Sequence, residues 1–154
     1  MQNWVKEWAK TQQFLKRIPF FANSIEEIHD IVNTNYPNLK NVVIERNTTN
    51  GFFMRLHRDD YYVNHYKFKE GIRDDSLWKP IYNIERPIIT VLWYRSTQGI
   101  DFSGGNLRFH DGYIVRPEKN SAILFDSNEP HEVTLQTKNC DTGDERKVVI
   151  IKYY

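Results

Sequence analysis

The segment FMRLHRDDYY, residues 53–62, carries the first indication of the chemistry expected of this chain. In it an alternating, strand-like run ends in a histidine and two aspartates. His57 and Asp59 are two residues apart, and residues with that spacing on a strand project from the same face. Imidazole nitrogen and carboxylate oxygen together suit a borderline divalent metal such as iron(II). The pair alone is also typical of a solvated strand end, so the metal interpretation needs a third ligand.

The third candidate ligand lies near the C-terminus. The stretch SAILFDSNEPHEV, residues 121–133, has the pattern of a buried strand, a turn, and then His131 at the start of another strand. Two histidines and one carboxylate can occupy one triangular face of a metal ion and leave positions open for a cosubstrate and for oxygen. We therefore expect His57, Asp59 and His131 to be both the metal ligands and the catalytic centre.

Short strands separated by turn residues fill the chain from position 41 onward. About eight such runs predict a mostly β fold, a sandwich or barrel of jelly-roll type. Thr48–Gly51 has the composition of a hairpin turn between the first two runs. The runs are NVVIERN (41–47), GFFMRLH (51–57), PIITVLWY (87–94), NLRFH (106–110), YIV (113–115), SAILF (121–125), EVTLQ (132–136) and KVVIIKYY (147–154).

The first 40 residues have a helical pattern instead. Residues 1–16 place Trp4, Trp8 and Leu15 on one face, which predicts a first helix. Ser24 and Glu27 have the spacing of a capping box, and the apolar stripe after them predicts a second helix that ends before NTNYPN, residues 33–38. We expect one domain over residues 1–154, in which helices within 1–40 support a jelly-roll core at 41–154.

Composition narrows the classes of function. The chain has 154 residues, with 21 Lys and Arg against 20 Asp and Glu, so no basic excess suggests a nucleic-acid partner. No run approaches the roughly 20 apolar residues of a membrane span, and the N-terminus has no signal-peptide pattern. The single cysteine, Cys140, excludes an intrachain disulfide. We expect a cytoplasmic protein without nucleic-acid or membrane partners; the sequence does not indicate its oligomeric state.

From Gly51 to Tyr154 the sequence resembles the 2-oxoglutarate/iron(II)-dependent oxygenases, and within them the prolyl 4-hydroxylase-like group. The resemblance rests on several motifs in the order in which the family has them. They are His57-Arg58-Asp59, ITVLWYRS (89–96), GGNLRF (104–109), VRPEKNSAILF (115–125), PHEV (130–133) and RKVVIIKYY (146–154). It implies a double-stranded β-helix in which iron(II) and the cosubstrate 2-oxoglutarate, with O₂, hydroxylate a C–H bond.

The resemblance also implies roles for residues outside the metal triad. Arg146 matches the basic residue that pairs with the distal carboxylate of 2-oxoglutarate, and a planar guanidinium can hold a carboxylate bidentately even when buried. Tyr94 matches a strand tyrosine whose hydroxyl contacts the same carboxylate in the oxygen-sensing prolyl hydroxylases. Gly104 and Gly105 match a turn of the family, where glycine permits a backbone shape that other residues resist.

The chain departs from the family pattern in two places. His131 and Arg146 are 146 − 131 = 15 positions apart, which is longer than the family usually shows. Val148 stands where the family often has a serine or another polar residue. Lys147 and Lys152 are therefore kept as alternative anchors for the cosubstrate.

Three questions stay open at the level of sequence. The substrate is a prolyl residue in a peptide or protein by the nearest analogy, and a free amino acid or other small molecule is the alternative. A cupin-like metalloprotein that does not use 2-oxoglutarate, or a catalytically silent β-barrel, would share the fold. The irregular segment Tyr61–Glu85 is either a lid over the substrate or a loop packed permanently on the barrel.

Overall fold

The computed structural model describes residues 17–59, 87–138 and 145–154. The predicted helix at 1–16, the segment Tyr61–Glu85 and Cys140 lie outside these residues. The described part contains one helix and eleven strands: β1 (Arg17–Phe21), α1 (Ile25–Asn35), β2 (Asn41–Thr48), β3 (Met54–His57), β4 (Ile89–Tyr94), β5 (Phe102–Gly104), β6 (Leu107–Phe109), β7 (Ile114–Val115), β8 (Ser121–Asp126), β9 (His131–Val133), β10 (Gln136–Lys138) and β11 (Arg146–Tyr153).

The strands form antiparallel sheets that confirm the predicted mostly β class. A major sheet of five strands has the order β1-β8-β4-β11-β2, and a minor sheet of four has the order β3-β9-β6-β7. Strands β5 and β10 form a separate pair. Neighbouring strands in each sheet are mostly far apart in sequence, so the chain passes repeatedly between the sheets, as in a jelly roll.

The space between the two sheets is filled by large apolar side chains. Strands β4, β8 and β11 contribute alternate residues from the major sheet, and β6 contributes residues from the minor sheet. The cluster consists of Leu92, Tyr94, Leu107, Phe109, Ile123, Phe125 and Val148. Burying such residues stabilises the fold by roughly 1.5–3 kcal/mol per side chain. We call this space the barrel interior.

Helix α1 covers the opposite face of the major sheet. Its buried residues, Ile28 and Val32, pack against side chains of β4 that point away from the interior, among them Val91 and Trp93. Strand β4 is therefore buried on both faces, which explains why its sequence, ITVLWY, is apolar without alternation. The Trp93 indole N–H donates to the carbonyl of Ala22, 3.1 Å away, and so satisfies its polar atom.

The predicted N-cap of α1 is confirmed. The Ser24 hydroxyl accepts a hydrogen bond from the Glu27 amide at 3.2 Å, and the Glu27 carboxylate accepts one from the Asn23 amide at 2.9 Å. The helix continues to Asn35, three residues beyond the predicted end at Val32. Its last turn is extended by the Tyr36 amide, which donates to the carbonyl of Val32 at 2.7 Å.

The predicted hairpin at Thr48–Gly51 is wrong. Strand β2 pairs with β11 of the major sheet, whereas β3 pairs with β9 of the minor sheet. A turn is present, since the Phe52 amide donates to the carbonyl of Thr49 at 3.1 Å, but it carries the chain from one sheet to the other. Local turn chemistry indicates that the chain bends and does not determine which strand becomes its partner.

Other boundaries also differ from the sequence expectation. Residues 17–21, assigned to the helical N-terminal region, form β1 and pair with β8 at the edge of the major sheet. The predicted strand EVTLQ is interrupted after Val133 and contributes to both β9 and β10. Strand β5 was not predicted. In the described residues, no helix has the length and apolar character needed to cross a bilayer.

Candidate metal and cosubstrate site

The structure brings His57, Asp59 and His131 together. One potential ligand atom from each lies within 4.8 Å of the others. The Asp59 Oδ1 atom is 3.3 Å from His57 Nε2 and 3.4 Å from His131 Nε2. Within the part of the chain that the structure describes, this is the one such group of three or more potential metal ligands.

Strand register places the two histidines side by side. His57 at the end of β3 is the cross-strand partner of His131 at the start of β9, and their ring centroids are 4.3 Å apart. Asp59 follows two residues after His57, as the spacing predicted. The His131 side chain is 4% exposed and that of His57 is 25% exposed, so His57 is the more accessible of the two histidines.

Both imidazole rings are oriented by backbone carbonyls. His57 Nδ1 lies 2.6 Å from the carbonyl oxygen of Arg55, and His131 Nδ1 lies 2.8 Å from that of Glu129. A carbonyl oxygen can only accept, so each Nδ1–H donates to it and each ring directs its Nε2 atom toward Asp59. This is the arrangement expected of metal-binding histidines.

Asp59 is held by groups that sequence reasoning missed. The Thr90 hydroxyl donates to Asp59 Oδ2 at 3.0 Å, and the Asp59 amide donates to the carbonyl of Ser127 at 2.7 Å. The Thr90 and Ser127 hydroxyls are 2.9 Å apart. These contacts leave Oδ1 directed at the histidines. The available signal was a threonine within the otherwise apolar strand β4.

The charges of the triad are complementary. Burial disfavours the ionised carboxylate, but the hydrogen-bonded rings of His131 and His57 hold the pKa of Asp59 well below its usual range. Burial likewise opposes a charged His131, and Asp59 more than offsets it, so the pKa of His131 is raised. The Asp59 carboxylate is therefore anionic, the form that binds a metal cation.

A buried guanidinium lies elsewhere in the barrel interior. Arg146 is 2% exposed, its Nε donates to the carbonyl of Gly105 at 3.1 Å, and burial lowers its pKa. Within residues 17–59, 87–138 and 145–154 it has no carboxylate partner. An isolated buried charge is costly, so a site with this feature is well suited to an anionic ligand.

Tyr94 lies beside Arg146. The Arg146 Cζ atom is 5.5 Å from the centroid of the Tyr94 ring, and the Tyr94 hydroxyl is buried without a hydrogen-bond partner among the described residues. Burial raises the pKa of Tyr94, so its hydroxyl stays protonated and can donate. An unsatisfied donor next to an unpaired guanidinium fits the distal carboxylate of 2-oxoglutarate.

Gly104 and Gly105 have the positive φ that their assignment to a turn requires, +67° in both cases. A Cβ atom on Gly104 would come within 2.0 Å of the carbonyl oxygen of Leu135. One on Gly105 would come within 2.9 Å of Arg146 Cδ. Glycine at 105 thus leaves the space in which the Arg146 side chain lies.

The two alternative anchors differ from Arg146. Lys147 is exposed and shares the outer face of β11 with Val149. Lys152 is on the same face of β11 as Arg146, but its cross-strand partner is Thr90. Its charge contributes to lowering the pKa of Asp59. Lys152 is therefore a neighbour of the candidate metal centre, and Arg146 is the better candidate for the distal carboxylate.

An ion-paired cluster behind His131 was also missed. The Arg17 guanidinium pairs with the fully buried Glu129, its Nε donating at 2.6 Å, and with Asp111 at 3.1 Å. Its Cζ lies 4.3 Å from the centroid of the Phe109 ring. Because the Glu129 carbonyl orients His131, this cluster anchors the turn that positions a triad residue.

A sequence profile decides the family. The profile described as the 2OG-Fe(II) oxygenase superfamily matches residues 42–154. The chain belongs to the 2OG-Fe(II) oxygenase superfamily. This membership confirms the resemblance to the 2-oxoglutarate/iron(II)-dependent oxygenases. A search of curated proteins found no match.

Solved structures of 2OG-Fe(II) oxygenases share the fold. A Pseudomonas putida prolyl-4-hydroxylase superposes with a TM-score of 0.52 at 22% identity, over 84% of this chain and 62% of its own. A Burkholderia pseudomallei oxidoreductase of the 2OG-Fe(II) oxygenase family gives 0.51 at 13% identity, over 85% of this chain and 53% of its own. The viral collagen prolyl hydroxylase of Paramecium Bursaria Chlorella virus-1, in a 2OG complex, gives 0.55 at 12% identity, over 97% and 87%.

These likenesses confirm the double-stranded β-helix. The chain spans less than two thirds of the length of the two bacterial structures, 62% and 53%. The roles of individual residues in metal and cosubstrate binding follow from the geometry above and are proposals.

Proposed function

We propose that this protein is an iron(II)- and 2-oxoglutarate-dependent dioxygenase that hydroxylates a prolyl residue in a peptide or protein. The single observation that carries the proposal is the convergence of His57 Nε2, His131 Nε2 and Asp59 Oδ1 at one point. Two imidazoles and one carboxylate on one face of the ion form the donor set of the non-heme iron oxygenases.

The triad residues would hold the metal with little rearrangement. Both rings already direct Nε2 toward Asp59, and the Thr90 hydroxyl already donates a hydrogen bond to Asp59 Oδ2. Bound iron(II) and 2-oxoglutarate would supply the oxidising chemistry, in which O₂ gives one oxygen atom to succinate, formed with carbon dioxide, and the other to the substrate C–H bond.

Arg146 and Tyr94 would bind the other end of the cosubstrate. The guanidinium offers a bidentate pair of N–H donors and the phenol offers an O–H donor, both within the barrel interior. In the described residues neither group is paired with a carboxylate, so a bound dicarboxylate would satisfy both. This feature favours 2-oxoglutarate use over the cupin-like alternative, which would give no reason for a buried, unpaired arginine.

The substrate class rests on the fold. Two of the structures with the same fold are described as a prolyl-4-hydroxylase and a viral collagen prolyl hydroxylase. Fold similarity alone does not determine a substrate. A free amino acid or another small molecule is the second candidate.

Succinate formation tests the proposal. The purified protein with iron(II), 2-oxoglutarate and oxygen would be offered a panel of proline-containing peptides, free proline and other free amino acids. We expect a peptide to stimulate succinate release and to gain 16 Da on its proline. Stimulation by a free amino acid alone would replace the peptide substrate with the second candidate. An absence of 2-oxoglutarate turnover under all conditions would contradict the dioxygenase assignment.

A further inference from the structure

A second arginine faces the barrel interior next to Arg146. Arg46 on β2 is the cross-strand partner of Val148, which on its other side is the partner of Tyr94. Tyr94, Val148 and Arg46 therefore form one row across three strands, with about 10 Å between the outer two backbones. Because all three residues lie in one row, their side chains point to the same side of the sheet, into the interior.

The contacts of Arg46 confirm this direction. Its Nη1 atom lies 3.9 Å from the sulfur of Met54, which is on β3 of the opposing sheet. The side chain thus crosses the space between the two sheets and is half-buried there. A thioether sulfur is a weak acceptor, so this contact does not compensate the charge.

Two guanidinium groups consequently share a region without a described counter-ion. Burial lowers the pKa of Arg146; the neighbouring Tyr94 opposes the shift, and the nearby charge of Arg46 adds to it. In residues 17–59, 87–138 and 145–154, neither arginine forms an ion pair with a carboxylate. Like charges held together in a partly dry site are destabilising unless an anion lies between them.

We propose that Arg46 is a second cosubstrate-binding residue, which holds the distal carboxylate of 2-oxoglutarate together with Arg146. This inference rests on the proposed function. It also accounts for Val148, which stands where related sequences often have a polar residue. The apolar side chain of Val148 lies between Tyr94 and Arg46. The longer side chain of Arg46 therefore provides the polar contact from the adjacent strand.

Binding of 2-oxoglutarate and of 2-oxopentanoate tests this arrangement. The second compound has the same chain length and lacks the distal carboxylate. Calorimetry would be done with Mn(II), which accepts the same ligands without oxygen turnover. The variants are Arg46→Gln and Arg46→Lys, and the control is Lys147→Gln, which removes one positive charge from the exposed face of β11. Circular dichroism checks that each variant is folded.

We expect Arg46→Gln to weaken 2-oxoglutarate binding by about tenfold or more, because a charge-assisted hydrogen bond is lost. Mn(II) affinity should not change, Arg46→Lys should recover part of the loss, and Lys147→Gln should bind as the wild type does. Unchanged 2-oxoglutarate affinity in Arg46→Gln would overturn the role of Arg46 and leave the proposed function intact. A wild-type protein with no preference for 2-oxoglutarate over 2-oxopentanoate would instead contradict the proposed function itself.

Discussion

Each histidine of the triad is prevented from turning by the carbonyl two residues before it, and Asp59 is fixed by Thr90. The candidate ligand atoms are therefore already arranged without a metal. Such preorganisation reduces the conformational entropy that metal binding would otherwise cost. It also means that removing one ligand should affect metal binding far more than folding.

His131→Ala should abolish Mn(II) binding and 2-oxoglutarate turnover while the protein remains folded. The substitution removes one of the three proposed metal ligands, and the remaining pair cannot occupy a full face of the ion. Calorimetry with Mn(II) measures the loss, and circular dichroism monitors the fold. His29→Ala is the matched control, since His29 lies on α1 and contacts the hydroxyl of Tyr153. Normal metal affinity in His131→Ala would show that the metal binds elsewhere.

Gly105→Ala should weaken 2-oxoglutarate binding by about tenfold through displacement of the Arg146 guanidinium. The added methyl group would lie 2.9 Å from Arg146 Cδ, so the side chain must move. Gly112→Ala is the control, because Gly112 also has a positive φ, +91°, but has open space around it. Both variants should lose about 1 kcal/mol of stability through backbone strain. Equal 2-oxoglutarate affinities in the two variants would contradict this role for Gly105.

Strand β1 is the element whose contribution to the site was least expected. It pairs with β8 and carries Arg17 to Glu129, in the turn between β8 and β9. The same turn supplies the carbonyls that hold Asp59 and His131, from Ser127 and Glu129. The position of two triad residues thus depends on an ion pair between chain segments more than 100 residues apart.

Arg17→Met should reduce stability by about 3 kcal/mol, because it leaves the Glu129 carboxylate buried without its cation. Mn(II) affinity should also fall, by about tenfold, as the support of His131 loosens. Arg108→Met is the control: it breaks the exposed ion pair with Glu132 on the neighbouring strands and should cost less than about 1 kcal/mol. Urea denaturation and calorimetry measure the two effects. Similar losses in both variants would contradict the anchoring role of Arg17.

The elements could be predicted where their patterns are local. The sequence correctly predicted the strand β4 and the Ser24 cap of α1, because an apolar run and a capping box are both patterns among neighbouring residues. The pairing partners of β2 and β3 could not be predicted, because either sheet would bury the same alternating residues of these strands. Strand β1 escaped prediction for a similar reason: RIPFF is stabilised as a strand by pairing with the distant β8.

The residues of the candidate site divide in the same way, into those indicated by local patterns and those that depend on distant strands. Short motifs in the family order indicated five residues of the site: His57, Asp59, His131, Arg146 and Tyr94. The fold brings His57, Asp59 and His131 together and places Tyr94 beside Arg146. Thr90, Ser127, Glu129 and Arg46 act through contacts across strands. No spacing in the sequence indicates such contacts, because they depend on strand register, which forms only when the barrel closes.

The barrel interior connects the two groups of residues. Thr90 at the candidate metal centre and Tyr94 beside Arg146 lie on the same face of β4, four residues apart, or about 13 Å along the strand. Both groups face the barrel interior, so we propose that one small dicarboxylate contacts the metal and the arginine together. On this proposal the two ends form a single site.

A crystal structure of the protein with Mn(II) and 2-oxoglutarate would show whether the two ends form one site. We predict a metal ion at about 2.0–2.3 Å from His57 Nε2, Asp59 Oδ1 and His131 Nε2. We predict one 2-oxoglutarate molecule that contacts the metal at one end and has its distal carboxylate within hydrogen-bond distance of Arg146. A metal bound away from the triad, or a cosubstrate that does not reach Arg146, would show that the two ends are not one site.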